Sequence, residues 1–314
     1  MTAPVMPLAS ETGPRRVTVR FDLLRALVRR PSGLVGILIL LVFSVLAVVP
    51  DFLVGELETA VTATGPRLGA PSAEFPLGTD ELGRSMLNLT VHATRISMVI
   101  GLLATVITVA VGAGLGIVSG YIGGRFDYVA MRIADFFLVM PTFVLALILT
   151  SLIRDVLGTG SKEIAGIRLS LLVIVVVIGI TSWSSTARII RSQTLSLRER
   201  AFVDRARVIG ASSGHIMRRH ILPNVMNLII ANTVLTFAGA VLTETTLSFI
   251  GLGDPFQPSW GQVLEAARGV GALQLGKWWY FVPPGASVVL VVFAFTLLGN
   301  ALDDILNPRR LAAR

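Results

Sequence analysis

Six long runs of apolar residues, separated by polar stretches, set the pattern of this 314-residue chain. A helix crosses a hydrocarbon core of about 30 Å with about 20 apolar residues, and each run reaches that length. The pattern predicts an all-α, polytopic membrane protein with six transmembrane helices. The predicted spans are Gly33–Leu53, Ser97–Ile122, Tyr128–Leu152, Leu169–Ile190, Val225–Ile250 and Phe281–Leu302.

These spans divide the chain into five predicted parts. The first span is too long for the apolar region of a signal peptide and no suitable cleavage site follows it, so we expect a retained helix. The parts are a cytoplasmic segment 1–32, the first helix 33–53, an external loop 54–94, a core of five helices 95–302 with an internal loop 196–224, and a cytoplasmic tail 303–314.

Composition agrees with a membrane protein. Hydrophobic residues make up 53% of the chain and charged residues only 15%, whereas a typical soluble domain is about 25% charged. The absence of cysteine excludes disulfides, cysteine-ligated zinc and thiol nucleophiles. The three histidines, His92, His215 and His220, do not have a metal-ligand spacing, so we expect neither a metal nor a cofactor in this chain.

The net charge of +8 comes mostly from arginines in three segments. Because cytoplasmic loops are enriched in Lys and Arg, this bias predicts that both termini and the loop after the fourth span are cytoplasmic, which requires an even number of spans. The charge therefore indicates topology and argues against nucleic-acid binding. The arginines are Arg15, Arg16, Arg20, Arg25, Arg29 and Arg30, then Arg188, Arg191, Arg198, Arg200, Arg205, Arg207, Arg218 and Arg219, and finally Arg309, Arg310 and Arg314.

The loop Ser196–Asn224 has an ordered pattern. Good helix formers dominate Glu199–Val208, and Gly210 then interrupts as a helix C-cap glycine would. A second short helix, Ser213–Ile221, is expected to stop before Pro223, which opens the fifth span. Such a compact pair of helices would fit a groove on a partner protein. The alternative is an ordinary basic loop that only sets topology.

The same loop resembles a known family motif. Asp204-Arg205-Ala206, Gly210 and Leu222-Pro223 match the EAA loop of binding-protein-dependent ABC import permeases, which reads E-A-A-x3-G-x9-I-x-L-P. The chain departs from it at Asp204, at Arg205 and at His220, which stands for the Ile. In that family the loop forms coupling helices that sit in a cleft of a cytoplasmic ATPase. The resemblance implies that Asp204, Ala206 and Gly210 are contact or turn positions.

Further segments between about residues 25 and 309 resemble the dipeptide/oligopeptide and nickel subfamily, second permease type. Phe75–Arg84 is similar to the P-L-G-T-D-x-L-G-R-D signature, with Ser85 for the last Asp, and its glycines favour tight turns. We expect the following run, Met86–Ser97, to lie as an amphipathic segment at the outer interface. The aromatic run Trp278–Tyr280 suits an outer interfacial belt. Pro258–Gly261 and the tail Leu297–Asp304 also match, although the tail departs at Asn300, Ala301 and Asp303. Tyr128–Asp135, followed by Pro141, resembles the family's M-R-x-x-D…P stretch.

Four polar or proline positions inside the spans are candidate pathway or structural residues. Arg132 and Asp135 are three residues apart on one helix face, where they could pair, and Pro141 is expected to kink the third span. Glu244 begins a segment similar to E-x-x-L-S-F-L-G-L-G. An ionisable residue in a span is a candidate functional site. Its alternative is a structural position near the outer end, solvated or bonded to backbone freed by the glycines.

The resemblance implies a type I ABC importer permease for di- or oligopeptides in the bacterial plasma (inner) membrane. Its implied partners are a homologous six-span permease, two ATPase subunits or domains that use ATP and magnesium, an extracytoplasmic substrate-binding protein and the lipid bilayer. This chain has no Walker A sequence and no hydrolase motif, so we expect it not to be an enzyme. Alternative cargoes are nickel chelates, haem and glutathione. Two other functions compete with the importer permease. A secondary transporter would need paired intramembrane charges or inverted repeats. The second is a membrane-bound enzyme of lipid metabolism.

Overall fold

The computed structural model describes residues 21–158, 163–164 and 167–306. The predicted segment before residue 21, with Arg15, Arg16 and Arg20, lies outside the described residues, as does the tail with Arg309, Arg310 and Arg314. The helices are α1 Phe21–Val28, α2 Pro31–Val48, α3 Pro50–Val54, α4 Met86–Ile122, α5 Gly124–Val139, α6 Thr142–Leu157, α7 Leu169–Arg198, α8 Ala201–Val208, α9 Ser213–Ile216, α10 Leu222–Leu247, α11 Trp260–Gly269 and α12 Trp278–Leu306. Two π-helical turns, Met217–Ile221 and Ser248–Leu252, flank α10, and a two-residue hairpin pairs β1 Glu163–Ile164 with β2 Ile167–Arg168.

Within these ranges α2, α4, α7, α12 and the continuous segment Ser213–Leu252 are each long and apolar enough to cross a membrane. The bent pair α5–α6 makes a sixth crossing, because its two ends contact opposite ends of the bundle. At its start, Asp127 pairs with Arg191, near the end of α7, at 2.5 Å. At its end, Arg154 donates a 2.5 Å hydrogen bond to the carbonyl of Leu252, beyond the far end of α10. The predicted all-α, six-span architecture is therefore confirmed.

The third span is broken where only a kink was predicted. α5 and α6 meet at 93°, with Met140 extended at ψ 130° and Pro141 at ψ 110° between them. Proline cannot donate a backbone hydrogen bond, and its ring pushes the preceding residue out of the helical region. The effect at Met140 is large enough to end the helix, so the crossing consists of two short helices.

The run Met86–Ser97 is buried, so its prediction as an interfacial segment was wrong. It forms the first part of the 37-residue helix α4, which at 1.5 Å per residue is about 55 Å long and exceeds the hydrocarbon core. Met86 and Leu89 are 0% and 1% exposed. Asn88 Nδ2 donates to the carbonyls of Val54 and Glu56 at 3.0 and 2.8 Å, which fixes the segment before α4 to the helix.

A stripe of glycines brings α4 and α7 into close contact. A Cβ atom at Gly112, Gly116 or Gly120 would lie 2.7–2.9 Å from the nearest backbone carbonyl oxygen of α7. Small residues spaced four apart let the backbones of two membrane helices come into contact. Because lipid tails are as apolar as the side chains, van der Waals packing and not the hydrophobic effect holds such helices together. This pair therefore forms the rigid centre of the bundle.

One end of the bundle is capped by the segment between α3 and α4, by α11 and by the start of α12. The hydroxyl of Tyr280 donates to the carboxylate of Glu81, and Trp279 packs against Gly78, where a Cβ would lie 2.6 Å from the indole. Only Trp278 of the predicted aromatic belt is exposed, at 49%, whereas Trp279 and Tyr280 are 7% and 1% exposed. The belt prediction thus holds for one residue of three, because the folded loop covers the other two.

The two ends of the described chain lie together. Arg30, just before α2, forms a 2.9 Å ion pair with Asp304 near the end of α12, and α1 also packs on α12. An even number of crossings puts these positions on the same side of the membrane. The ion pair therefore agrees with the six crossings.

Candidate functional site

The sequence-predicted helix pair exists and forms a compact unit, which we call the knob (Ala201–Ile221). Val203 and Ala206 of α8 are 0% and 5% exposed and pack against Ile216, Ile221 and Val225. Burial of this apolar face stabilises an eight-residue helix that would be marginal by itself. The knob is therefore a folded unit with its own buried apolar face.

The turn between α8 and α9 has a Schellman geometry centred on Gly210. The N–H of Gly210 donates to the carbonyl of Arg207 at 2.9 Å, and that of Ala211 to Ala206 at 3.0 Å. Gly210 has φ +82°, in the left-handed region that glycine adopts without a Cβ penalty. Ser212 then caps α9 by accepting from the N–H of His215 at 3.3 Å. The predicted C-cap is therefore present, and Ser212 is the N-cap of the helix that follows.

The helix that follows does not stop before Pro223, and that part of the prediction was wrong. It passes through the π-helical turn Met217–Ile221 into α10, with Pro223 in the first turn of α10. In the wider turn, the N–H of Leu222 bonds to the carbonyl of Met217, and Asn224 Nδ2 donates to the carbonyl of His220 at 2.6 Å. The proline is thereby accommodated, and α9 is joined rigidly to a membrane span.

One surface of the knob is both apolar and basic. Val208 and Ile209 are 87% and 84% exposed. Asp204 and Arg205 are also exposed, and Asp204 pairs with Arg207 at 3.0 Å. A recess of about 620 Å³ lies nearby. Its lining residues are Ser212, Gly214, His215, Arg218 and Arg219.

The knob contacts the ends of the membrane helices. The guanidinium of Arg207 lies 5.6 Å from the centre of the Tyr121 ring at the end of α4. Its hydrogen bond to Tyr121 is the main reason that the pKa of Arg207 is raised, so this cation stays charged at any physiological pH. Arg191 makes two 2.5 Å hydrogen bonds to Asp127, a bidentate pair that is stronger and more directional than a single contact. The knob thus contacts the end of α4, and the Arg191–Asp127 pair joins α7 to α5.

Arg132 and Asp135 have different partners from the predicted one. Arg132 donates to the hydroxyl of Tyr128 at 3.2 Å, whereas Asp135 pairs with Arg188 of α7. Both side chains of the Asp135–Arg188 pair are more than a third exposed, so the pair contributes little stability. The structure therefore places Asp135 at a helix–helix contact, and Pro141 at the break between α5 and α6.

Glu244 lies in a buried cluster of hydroxyls. It is 0% exposed and accepts hydrogen bonds from Ser97 at 3.0 Å, Ser248 at 2.8 Å and Thr245 at 3.4 Å. The oxygen of Ser97 also accepts from the N–H of Trp260 at 3.2 Å. Within the described residues Glu244 is thus away from the surface and bonded to side-chain hydroxyls and not to backbone, and the cluster joins α4, α10 and α11. The sequence signal that could have found it is the pair Glu244 and Ser248, four residues apart on one helix face.

The predicted residues fall into two groups. Asp204, Arg205, Ala206, Gly210, Leu222 and Pro223 all lie in or beside the knob, where Ala206 supplies packing, Gly210 the turn, and Asp204 and Arg205 exposed charge. Arg132, Asp135, Pro141 and Glu244 are dispersed over the membrane helices and do not form one site.

Comparisons with known proteins agree with this architecture. Residues 112–311 match the family described as binding-protein-dependent transport system inner membrane component. The dipeptide transport system permease protein DppC of Bacillus subtilis (strain 168) is 34% identical over 290 residues, covering 92% of this chain and 85% of that protein. A putative peptide permease protein of Brucella suis biovar 1 (strain 1330) is 38% identical over 243 residues, 76% of this chain and 75% of the relative. A putative peptide transport system permease protein of the same organism is 33% identical over 288 residues, 91% and 90% of the two chains. The chain belongs to the family of binding-protein-dependent transport system inner membrane components.

Proposed function

We propose that this chain is a permease subunit of an ATP-driven importer for di- or oligopeptides in a bacterial plasma (inner) membrane, with both termini in the cytoplasm. The observation that carries the proposal is the knob, a folded projection with an exposed apolar and charged surface. The names of the relatives, which are peptide or dipeptide permeases, support the choice of cargo.

In this proposal the knob docks in a cleft of a cytoplasmic ATPase that binds ATP and magnesium. The exposed Val208 and Ile209 would supply apolar contact area, and Asp204 and Arg205 would supply polar contacts at its rim. A homologous six-span permease completes the passage, and an extracytoplasmic binding protein delivers the cargo. ATP shifts the assembly between inward-facing and outward-facing states only if it binds one of them more tightly.

The joint between knob and membrane supports a mechanical role. α9 continues through Pro223 into α10 without a break, and Arg207 lies against the end of α4. Movement of the docked knob would therefore rotate or translate both helices together. A flexible linker between the knob and α10 would not pass the movement of the knob on to the membrane helices.

Uptake by the assembled importer tests the proposal. The chain, its partner permease, the ATPases and the binding protein are reconstituted in liposomes, and uptake of labelled alanyl-alanine is measured with and without ATP and magnesium. We expect ATP-dependent uptake from the full assembly and no ATP hydrolysis by this chain alone. Uptake of a nickel chelate, haem or glutathione in place of the peptide would show that the cargo had been assigned wrongly.

A charge reversal in the knob tests the docking step. Asp204 and Arg207 are 60% and 41% exposed, so their ion pair contributes at most about 1 kcal/mol to folding. Asp204→Lys should therefore leave membrane insertion intact and abolish uptake. Asp204→Glu, which keeps the charge, is the matched control and should transport normally. Normal uptake by Asp204→Lys would rule out a role of this surface in docking.

A further inference from the structure

A hydroxyl-lined groove lies near the middle of the membrane helices. Its volume is about 160 Å³, similar to the roughly 150 Å³ cavity that accommodates a benzene ring. It opens to the surface through Ser185 and Gly239, both exposed. The polar lining side chains come from α4, α7 and α10: Thr108, Ser182, Ser185, Thr186, Thr236 and Thr243.

One lining hydroxyl has no partner. Thr108 is 1% exposed, and within the part of the chain that the structure describes its Oγ1 makes no hydrogen bond. Leaving a buried hydroxyl unpaired costs about 1–3 kcal/mol, and hydrocarbon lipid cannot supply the missing bond. The oxygen is itself inaccessible to a water molecule, so the accessible hydroxyls of the groove, and not Thr108, would contact a ligand.

The groove offers donors and acceptors without charge. Thr236 and Thr243 donate to the carbonyls of Asn232 and Gly239 at 2.8 and 2.9 Å. Thr236 also accepts from Asn232 Nδ2 at 3.3 Å, so Thr243 is the threonine whose oxygen keeps both lone pairs for a ligand. The side-chain hydroxyl of Ser185 makes no hydrogen bond within the described residues, and its O–H is available to donate. A peptide unit carries one N–H and one C=O, which match this set, and the absence of charge gives no preference for a particular side chain.

We propose that this groove is a subsite that contacts the backbone of the translocating peptide, on this subunit's half of the passage. The inference rests on the proposed peptide-import function. Hydroxyls recognise the amide groups that all peptides share, so the subsite would let cargoes with different side chains pass. The other possible occupant is a helix of the partner permease, and the experiment distinguishes the two.

Access of water to the groove is tested first, in the assembled importer. The chain has no cysteine, so Ser185→Cys or Gly239→Cys adds a single thiol to it, and wild-type complex corrects for thiols in the partners. A charged, membrane-impermeant methanethiosulfonate reagent should label both positions, and alanyl-alanine should slow the labelling. Val106→Cys, at an exposed apolar position of α4, is the control and should stay unlabelled. Lack of labelling at Ser185 and Gly239 would assign the groove to the partner helix or to lipid.

Recognition of the amide is tested second. Thr243→Val combined with Ser185→Ala removes two hydroxyls with little change of shape, and should lower uptake of alanyl-alanine per ATP hydrolysed about tenfold. The preference of the wild type for alanyl-alanine over its N-methylated form should decrease as well. Thr246→Val, on the same helix but outside the groove, should behave as wild type.

The outcomes separate this proposal from the assignment of function. If the wild type takes up the peptide and the double variant does so equally well, the groove does not contact cargo, and the importer function stands. If the wild type takes up no peptide, both proposals fail. If the double variant no longer co-purifies with its partner permease, the groove is a helix-packing surface and the subsite is refuted.

Discussion

At the residue scale, the buried carboxyl of Glu244 connects three helices. It accepts from Ser97 of α4 and from Ser248 in the π-helical turn after α10, and Ser97 in turn accepts from the backbone N–H of Trp260 in α11. Because each hydroxyl would lose its acceptor inside a dry core, removal of the carboxyl leaves several unpaired groups at once. The residue is thus better explained as a structural joint than as a contact for cargo.

The joint predicts a measurable loss of stability. Glu244→Ala should lower the free energy of unfolding by about 3 kcal/mol, measured from thermal denaturation of the purified complex in detergent. Glu265→Ala is the control, because the side chain of Glu265 is 35% exposed and its ion pair with Arg268 is long, at 3.5 Å. If Glu244→Ala were as stable as the control but lost transport, the residue would belong to the passage after all.

At the element scale, the angle between α8 and α9 depends on Gly210. Proline cannot adopt the φ of +82° found at Gly210, because its ring holds φ near −65°. Gly210→Pro also removes the N–H that donates to the carbonyl of Arg207. We expect Gly210→Pro to insert normally, as judged by membrane fractionation, and to abolish ATP-dependent peptide uptake. Gly210→Asn should retain most uptake, because Asn tolerates the left-handed region.

A second glycine serves as the control for this turn. Gly269 of α11, outside the knob, has open space around its Cβ direction and no positive φ, so Gly269→Ala should leave uptake unchanged. Uptake that survived Gly210→Pro would mean that the orientation of α8 relative to α9 does not matter for coupling.

The sequence predicts a helix or turn well where residues close together in the chain determine it. Hydropathy locates the spans, and the spacing around Gly210 locates the turn, because each depends on residues within one or two helical turns. The Asp135–Arg188 pair joins positions 53 residues apart, so spacing along one helix could not find it. The burial of Met86–Ser97 depends in the same way on the cap formed by α11 and α12. The continuity through Pro223 depends on a wide turn that proline alone does not predict.

At the scale of the whole molecule, six crossings follow from contacts at both ends of the bundle. Asp127 and Arg191 lie together at one end, and Arg154 lies against Leu252 at the other, so the broken pair α5–α6 spans the bundle. A re-entrant pair would return to its own side and reverse the sidedness of α7, α8 and everything after them. It would also separate Arg30 from Asp304, which are 2.9 Å apart.

The cysteine-free chain allows this topology to be tested with two valines. Val61, in the external loop, and Val208, at the end of α8, are 92% and 87% exposed, so a cysteine at either site should react readily. With six crossings and a cytoplasmic N-terminus, an impermeant thiol reagent should label Val61→Cys in intact cells and Val208→Cys only after permeabilisation. With five crossings, both would react from outside, because α8 would then lie on the same side as the external loop. Wild-type chain, which has no thiol, supplies the background.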